Sequence, residues 1–223
     1  MKHETKSIAL SLLEINTANP RFEMADNQRE AIRKMIEDQK IKLANLAQDI
    51  IENGLNPSDY TIVTPSEKNK ELFTVLEGNR RIIALKLLNK PKLVPDEYQT
   101  LQKKFKLLSS EYKKNPITEV NCVVFPNEDE AYKWIRLKHT GDNEGIGTVT
   151  WNPEQKARFE GSLPYALQIK DYLKDDKDFD PVLKGKLAKI PLTNLQRLLS
   201  DPDVRELIGL SAEKGQIMSH FPP

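Results

Sequence analysis

The chain has 223 residues, a length that suits one sizeable domain or a medium domain with a smaller appendage. Hydrophobic residues at 38% can build a core and charged residues at 30% a solvated surface, which excludes a wholly disordered chain. The 34 Lys and Arg against 33 Asp and Glu leave a net charge of +1, so any anion site must be a local cluster, and the single cysteine, Cys122, excludes a disulfide framework or a cysteine-built zinc site.

In chain order, Ser7 to Leu13 reads as one short strand leading into the loop Asn16-Thr17-Ala18-Asn19-Pro20-Arg21. Ala31, Ile32, Met35 and Ile36 recur at helical spacing, and Leu43, Leu46, Ala47, Ile50 and Ile51 repeat that spacing up to Gly54, which sits where a helix C-cap belongs. Tyr60 to Val63 and Leu72 to Leu76 read as a strand pair around the polar turn Glu67 to Lys70. A helical pattern begins directly after Glu77-Gly78-Asn79-Arg80-Arg81. Residues 91–116 read as a helical insertion carrying Lys103, Lys104, Lys106, Lys113 and Lys114. Val120 to Phe125 returns to strand character, and Asn127 is placed to cap a helix ending near His139.

The composition changes at Trp151-Asn152-Pro153, where Asn152, Pro153 and Gln155 form a capping-box start for a helix. No convincing strand follows. This gives an α+β class, with a front domain over 1–150 and an all-helical domain over 151–223. Asp180 to Ile190 reads as a helix, Pro191 to Asn194 as a turn, and Leu195 to Ser200 as part of the next helix. No apolar stretch approaches the roughly 20 residues that span a bilayer, and no signal peptide is visible, so the chain reads as cytoplasmic without a membrane partner. The end at Phe221-Pro222-Pro223 closes no element and reads as a point within a longer protein.

The strand-to-helix junction at Glu77 to Arg81 carries the strongest chemical signal. A helix start offers unpaired N–H groups and the positive end of the helix dipole, and Gly78 permits close backbone approach. Two arginines in that first turn are mildly disfavoured, by about 0.3–1 kcal/mol each, unless an anion joins them. Phosphate is the natural anion, held by helix amides and guanidinium groups. The competing reading is that Arg80 and Arg81 pair with carboxylates such as Glu77.

The order of motifs resembles the N-terminal domain of the ParB/sulfiredoxin superfamily. It runs Asn19-Pro20-Arg21, then Glu52-Asn53-Gly54-Leu55-Asn56-Pro57, Thr61-Ile62-Val63, and Glu77-Gly78-Asn79-Arg80-Arg81-Ile82-Ile83-Ala84. The resemblance implies a small mixed sheet with flanking helices. It also implies a nucleotide pocket in which Gly78, Asn79, Arg80 and Arg81 bind phosphates, Asn56 and Pro57 lie beside the nucleotide, and Arg21 adds a second guanidinium. A nucleoside triphosphate with Mg²⁺ is the implied cofactor and a homodimer the implied assembly. Asn79 stands where ParB has Glu, Ile83 where it usually has Arg, and Arg136-Leu137-Lys138-His139-Thr140-Gly141 occupies the place of its Glu-Asn-x-x-Arg segment. Sulfiredoxin's catalytic cysteine opens the same helix, where this chain has Asn79.

Leu192 to Val204 resembles the recognition-helix region of the ParB helix-turn-helix, which implies DNA contact by Thr193, Asn194, Gln196 and Arg197. Lys103 and Lys104 are further candidates for a phosphate backbone. Yet residues 153–223 hold 11 Lys and Arg against 11 Asp and Glu, so any DNA binding is expected to be modest. Glu77, the nearest carboxylate, is the candidate to orient a water or hold a metal, and His139 a candidate phosphate or DNA ligand. Three functions stay open. One is a ParB-like nucleotide-binding, DNA-associated protein, as a switch or NTPase. Another is a metal-dependent DNase or phosphotransferase, for example in phage defence. The last is a non-enzymatic scaffold.

Overall fold

A computed structural model describes residues 3–161 and 164–207. The Phe221-Pro222-Pro223 end, and with it the part of the expected helical domain beyond 207, lies outside them. The chain divides into two compact units, Met1–Thr148 and Val149–Pro223.

The front unit is built on five strands: β1 (Glu4–Ala9), β2 (Leu13–Ile15), β3 (Thr61–Pro65), β4 (Phe73–Glu77) and β5 (Glu119–Val124). Their order in the sheet is β1-β5-β3-β4-β2. The β1–β5 and β3–β4 pairs are antiparallel, whereas β3–β5 and β2–β4 are parallel. The single strand expected over Ser7 to Leu13 is therefore two, on opposite edges of the sheet. The 3-10 turn Leu10–Leu12 separates them, with Leu10 N–H bonded to Thr118 O at 2.8 Å, and the chain crosses the sheet there. Apolar periodicity could not show the break because Ile8, Leu10 and Leu13 are all buried.

The two faces of the sheet are read off alternate residues, as strand geometry requires. Val63 and Val75 face a large core built with the helices α1 (Gln28–Gln39), α2 (Ile41–Asn53), α3 (Asn79–Asn89) and α4 (Gln99–Tyr112). Ile62 and Leu76 face the opposite side, where Ala131 and Ile135 of α5 (Glu128–His139) pack on them with Phe125. Asn127 caps α5 by accepting from Glu130 N–H at 3.0 Å. The segment read as a helical insertion holds α4, whose Leu101, Phe105, Leu108 and Tyr112 are buried in the main core.

From Ile82 to Leu88 helix α3 is apolar except at Lys86, and Ile82, Ile83, Ala84, Leu85, Leu87 and Leu88 are all fully buried. Such a helix belongs inside a protein. Each buried Leu or Ile stabilises the fold by about 2 kcal/mol relative to exposure, so α3 is fixed firmly and its polar start is held at the end of the core. Cys122, in β5, is fully buried, and that burial pushes its thiol pKa up to about 12.

The rear unit contains α6 (Pro153–Glu160), α7 (Tyr165–Asp175), α8 (Pro181–Lys189), α9 (Leu192–Ser200) and α10 (Pro202–Leu207). The capping box at Asn152 and Gln155 is present. Ala157, Ala166, Leu167, Ile169, Leu192 and Leu199 form a small core. Buried Lys170 is tied to Glu154 at 3.0 Å and to Ile190 O at 3.2 Å. The turn expected over Pro191 to Asn194 is shorter, since α9 already begins at Leu192 and only Ile190 and Pro191 join it to α8. Pro191 as N-cap sets φ at −58° and lets the helix start one residue later, so Thr193 and Asn194 lie in its first turn. Among the described residues no helix is long and apolar enough to cross a membrane.

Candidate functional site

Strand β4 ends at Glu77, and the chain turns at once into α3. Gly78 makes that turn with φ of 97° and ψ of 7°, the left-handed region that only glycine enters freely. It also leaves no room: a Cβ there would meet Arg81 Nη2 and Thr61 Oγ1 at 3.0 Å. No side chain caps α3. Its first N–H groups therefore point outward without an intrahelical partner.

The junction opens onto a cleft of about 750 Å³. Arg21, Asn56, Glu77, Gly78, Asn79, Arg80, Arg81 and His139 all line it, whereas Pro57, also expected beside the nucleotide, does not. Their roles differ sharply.

Asn79 is 4% exposed and spends its side chain on the backbone. Its Oδ1 accepts from Asn16 N–H at 3.0 Å and its Nδ2 donates to Val75 O at 2.9 Å. It thereby stitches the Asn-Pro loop to the end of β4, and only its backbone N–H remains for a ligand. Asn56 Oδ1 accepts from Ser58 N–H and Oγ, at 2.9 and 2.8 Å, which shapes the turn after Gly54.

The adjacent arginines are electrostatic opposites. Arg81 lies between two carboxylates, Asp59 at 2.9 Å and Glu77 at 3.2 Å, and also donates to Asp59 O. Lys138 bridges the same two acids, and His139 Nε2 lies 3.3 Å from Glu77 Oε1. With Arg81 and Lys138 against Asp59 and Glu77, the cluster is neutral before His139 is counted. Arg80 instead donates to the neutral amide of Gln39 at 3.2 Å. Among the described residues it has no carboxylate partner within ion-pair distance, although Asp49 lines the same cleft. Arg21 and Arg136 line the same cleft, and among the described residues neither they nor Arg80 is in an ion pair.

Glu77 Oε2 is thus engaged by Arg81 and Lys138 and Oε1 by His139, and its visible role is to hold Arg81 and the end of α5. Asp59 does the same. Among the described residues no group of three or more His, Cys, Asp or Glu is placed to hold a metal ion. Asp59 and Glu77 are already held by Arg81 and Lys138, so neither offers a free carboxylate to a magnesium ion.

Asp59, Lys138 and Gln39 were not visible as site residues in the sequence. Asp59 is 22 residues from Arg81 and Lys138 is 79 from Asp59, so only the sheet brings them together. The Arg136 to Gly141 stretch was the one local signal for Lys138.

The DNA-contact candidates lie elsewhere. In the rear unit, Thr193, Asn194 and Arg197 are exposed on α9 at i, i+1 and i+4, Gln196 is half-buried, and Leu198 is exposed. In the front unit, Lys103 is exposed on α4, and Lys104 donates to Asn45 Oδ1 at 3.4 Å. Neither lysine lines the cleft.

No family model matches the chain, and no curated protein matches it. Among solved structures it is similar to the C-terminally truncated chromosome-partitioning protein ParB from Caulobacter crescentus complexed with CTP-gamma-S. The identity is 15% over 92% of this chain and 83% of that chain, with a TM-score of 0.40. It is also similar to the same truncated protein complexed to the centromeric parS site, at 14% identity over 93% of this chain and 80% of that one, with a TM-score of 0.31. At those values the role of the cleft rests on its own residues.

Proposed function

We propose that the front unit binds nucleotide phosphates and that the chain works as a ParB-like, DNA-associated binding protein. One observation carries this reading: three arginines without ion-pair partners, Arg21, Arg80 and Arg136, share a cleft with the uncapped start of α3. Unpaired N–H groups, the helix dipole and guanidinium groups without ion-pair partners all favour a multiply charged anion. The cleft volume lies within the range of small-molecule sites, about 300–1,000 Å³. A nucleoside triphosphate is the proposed ligand, with Mg²⁺ entering as the counter-ion of its phosphates.

In the chemistry of the site, Arg80 and the amides of Asn79 and Arg80 hold a phosphate, and Arg21 and Arg136 add charge from the loop and from α5. Arg81 does not contact the phosphate in this reading. It fixes Asp59 and Glu77, and through them Lys138 and His139. Binding is favoured over hydrolysis because Glu77, the expected base, is held by Arg81 and Lys138 and contacted by His139.

Titration with the four ribonucleoside triphosphates, with and without Mg²⁺, tests this. The expected result is saturable binding that Arg80→Ala weakens by about tenfold or more, as for loss of a charge-assisted hydrogen bond, while the melting temperature holds. No binding by the wild type, or wild-type affinity in Arg80→Ala, would overturn it.

DNA contact through Thr193, Asn194, Gln196 and Arg197 of α9 is proposed as the second part of the function, supported by the exposed face these residues form. Duplex binding should fall with salt, and Arg197→Ala should lower the salt slope by about 1 if that residue meets a phosphate. An unchanged affinity and slope remove Arg197 from the interface.

A further inference from the structure

The cleft carries two chemistries. Its cationic part is the α3 start with Arg21, Arg80 and Arg136, and its apolar part is lined by Leu46, Ile50, Leu55 and Ile135. A bare polyanion would use only the first. A ligand that fits both has a flat, largely apolar ring joined to a string of phosphates.

Helix α5 supplies one wall. Tyr132, Ile135, Arg136 and His139 line the cleft, and the spacing i, i+3, i+4, i+7 makes them one helical face. Ala131, next to Tyr132, is fully buried against the sheet with Phe125, yet Tyr132 is 64% exposed. Tyr132 thus lines the cleft while most of it stays open to solvent. The helix that carries it is anchored at its far end: Lys138 binds Asp59 and Glu77, and His139 contacts Glu77. Seven residues separate Tyr132 from that anchor, about 10 Å along the helix axis at 1.5 Å per residue, with Arg136 between them. Arg136 lies four residues from Tyr132, about 6 Å along the axis, within the reach of one nucleotide with its base on Tyr132 and its phosphates toward Arg136.

We propose that Tyr132 is the platform on which the base of the bound nucleotide stacks, so that the cleft selects nucleoside triphosphates over inorganic polyphosphate. The inference rests on the phosphate-site reading above and adds to it the group that recognises the rest of the ligand. Stacking on an aromatic face is tolerant of base identity, so it separates nucleotides from polyphosphates more than one base from another.

The test is calorimetric titration of the full chain with each ribonucleoside triphosphate and with inorganic tripolyphosphate, in the wild type, Tyr132→Ala and Tyr132→Phe. Tyr132 is mostly exposed, so both variants should keep the wild-type melting temperature. Tyr132→Ala is expected to lose about tenfold in nucleotide affinity, in line with loss of one stacked base, and to bind tripolyphosphate as the wild type does. Tyr132→Phe retains nucleotide affinity. Equal weakening of both ligands, or unchanged nucleotide affinity in Tyr132→Ala, overturns the stacking role and leaves the phosphate site standing. Failure of the wild type to bind either ligand overturns the phosphate site and the stacking role together.

Discussion

Replacing Gly78 by alanine puts the junction between β4 and α3 under a measurable load. The backbone there sits at φ of 97° and ψ of 7°, and holding an L-residue in the left-handed region costs about 1–2 kcal/mol. The new Cβ would also lie 3.0 Å from Arg81 Nη2 and Thr61 Oγ1 and 3.3 Å from Thr61 Cγ2. Thr61 is 1% exposed, and Arg81 is clamped between Asp59 and Glu77, so neither side chain has a free direction in which to yield. Overpacking of this kind adds about 1–3 kcal/mol, which makes the total about 3 kcal/mol. For a chain of this size that is a fall in melting temperature of about 6–12 °C, read by circular dichroism. A midpoint within about 2 °C of wild type would show that the junction is not as tightly set as the geometry requires.

Asn79→Ala should destabilise the front unit by about 1–3 kcal/mol, because Asn16 N–H loses its acceptor, and denaturant unfolding would show it. Asn79→Glu should be destabilised as well and bind nucleotide no better than wild type; a tighter complex would mean that the side chain belongs to the ligand. Cys122 should resist iodoacetamide at pH 8 in the folded protein and react once urea exposes it, since burial holds the thiol pKa at about 12. In the rear unit, the hydrogen bond from Lys170, and then that from Arg158, holds the Glu154 pKa below the ordinary carboxylate value. A depressed folded-state pKa contributes stability above the unfolded-state pKa and loses it as pH falls through the folded-state value. Glu154→Gln should therefore lower stability at neutral pH and flatten the acid limb of the unfolding curve, and an acid limb as steep as wild type would contradict this.

Much of the fold was legible because the elements punctuate themselves. Gly54 and Gly78 mark a helix end and a helix start, Asn127 and Asn152 cap the helices expected of them, and the all-apolar run after Arg81 announces a buried helix. What stayed hidden was tertiary. The segment Ser7 to Leu13 is mostly apolar, and periodicity does not reveal that β1 and β2 occupy opposite edges of one sheet. Likewise Arg80 and Arg81 are chemically identical neighbours, and local sequence offered both as phosphate ligands. Their difference comes from Gln39 on α1 and Asp59 before β3, each brought to the junction by the fold. The Asn at 79, a departure from the ParB pattern, is explained once its two hydrogen-bonding directions are seen to reach Asn16 and Val75.

Amide spectra of the ¹⁵N-labelled chain, recorded as a nucleoside triphosphate is added, show whether the start of α3 is the anion site proposed, served by Arg80. Saturable shifts of the Gly78, Asn79 and Arg80 amides are expected, and in Arg80→Ala those of Gly78 and Asn79 should be lost at the same ligand concentration. Those amides staying unmoved while the nucleotide binds elsewhere would contradict that assignment.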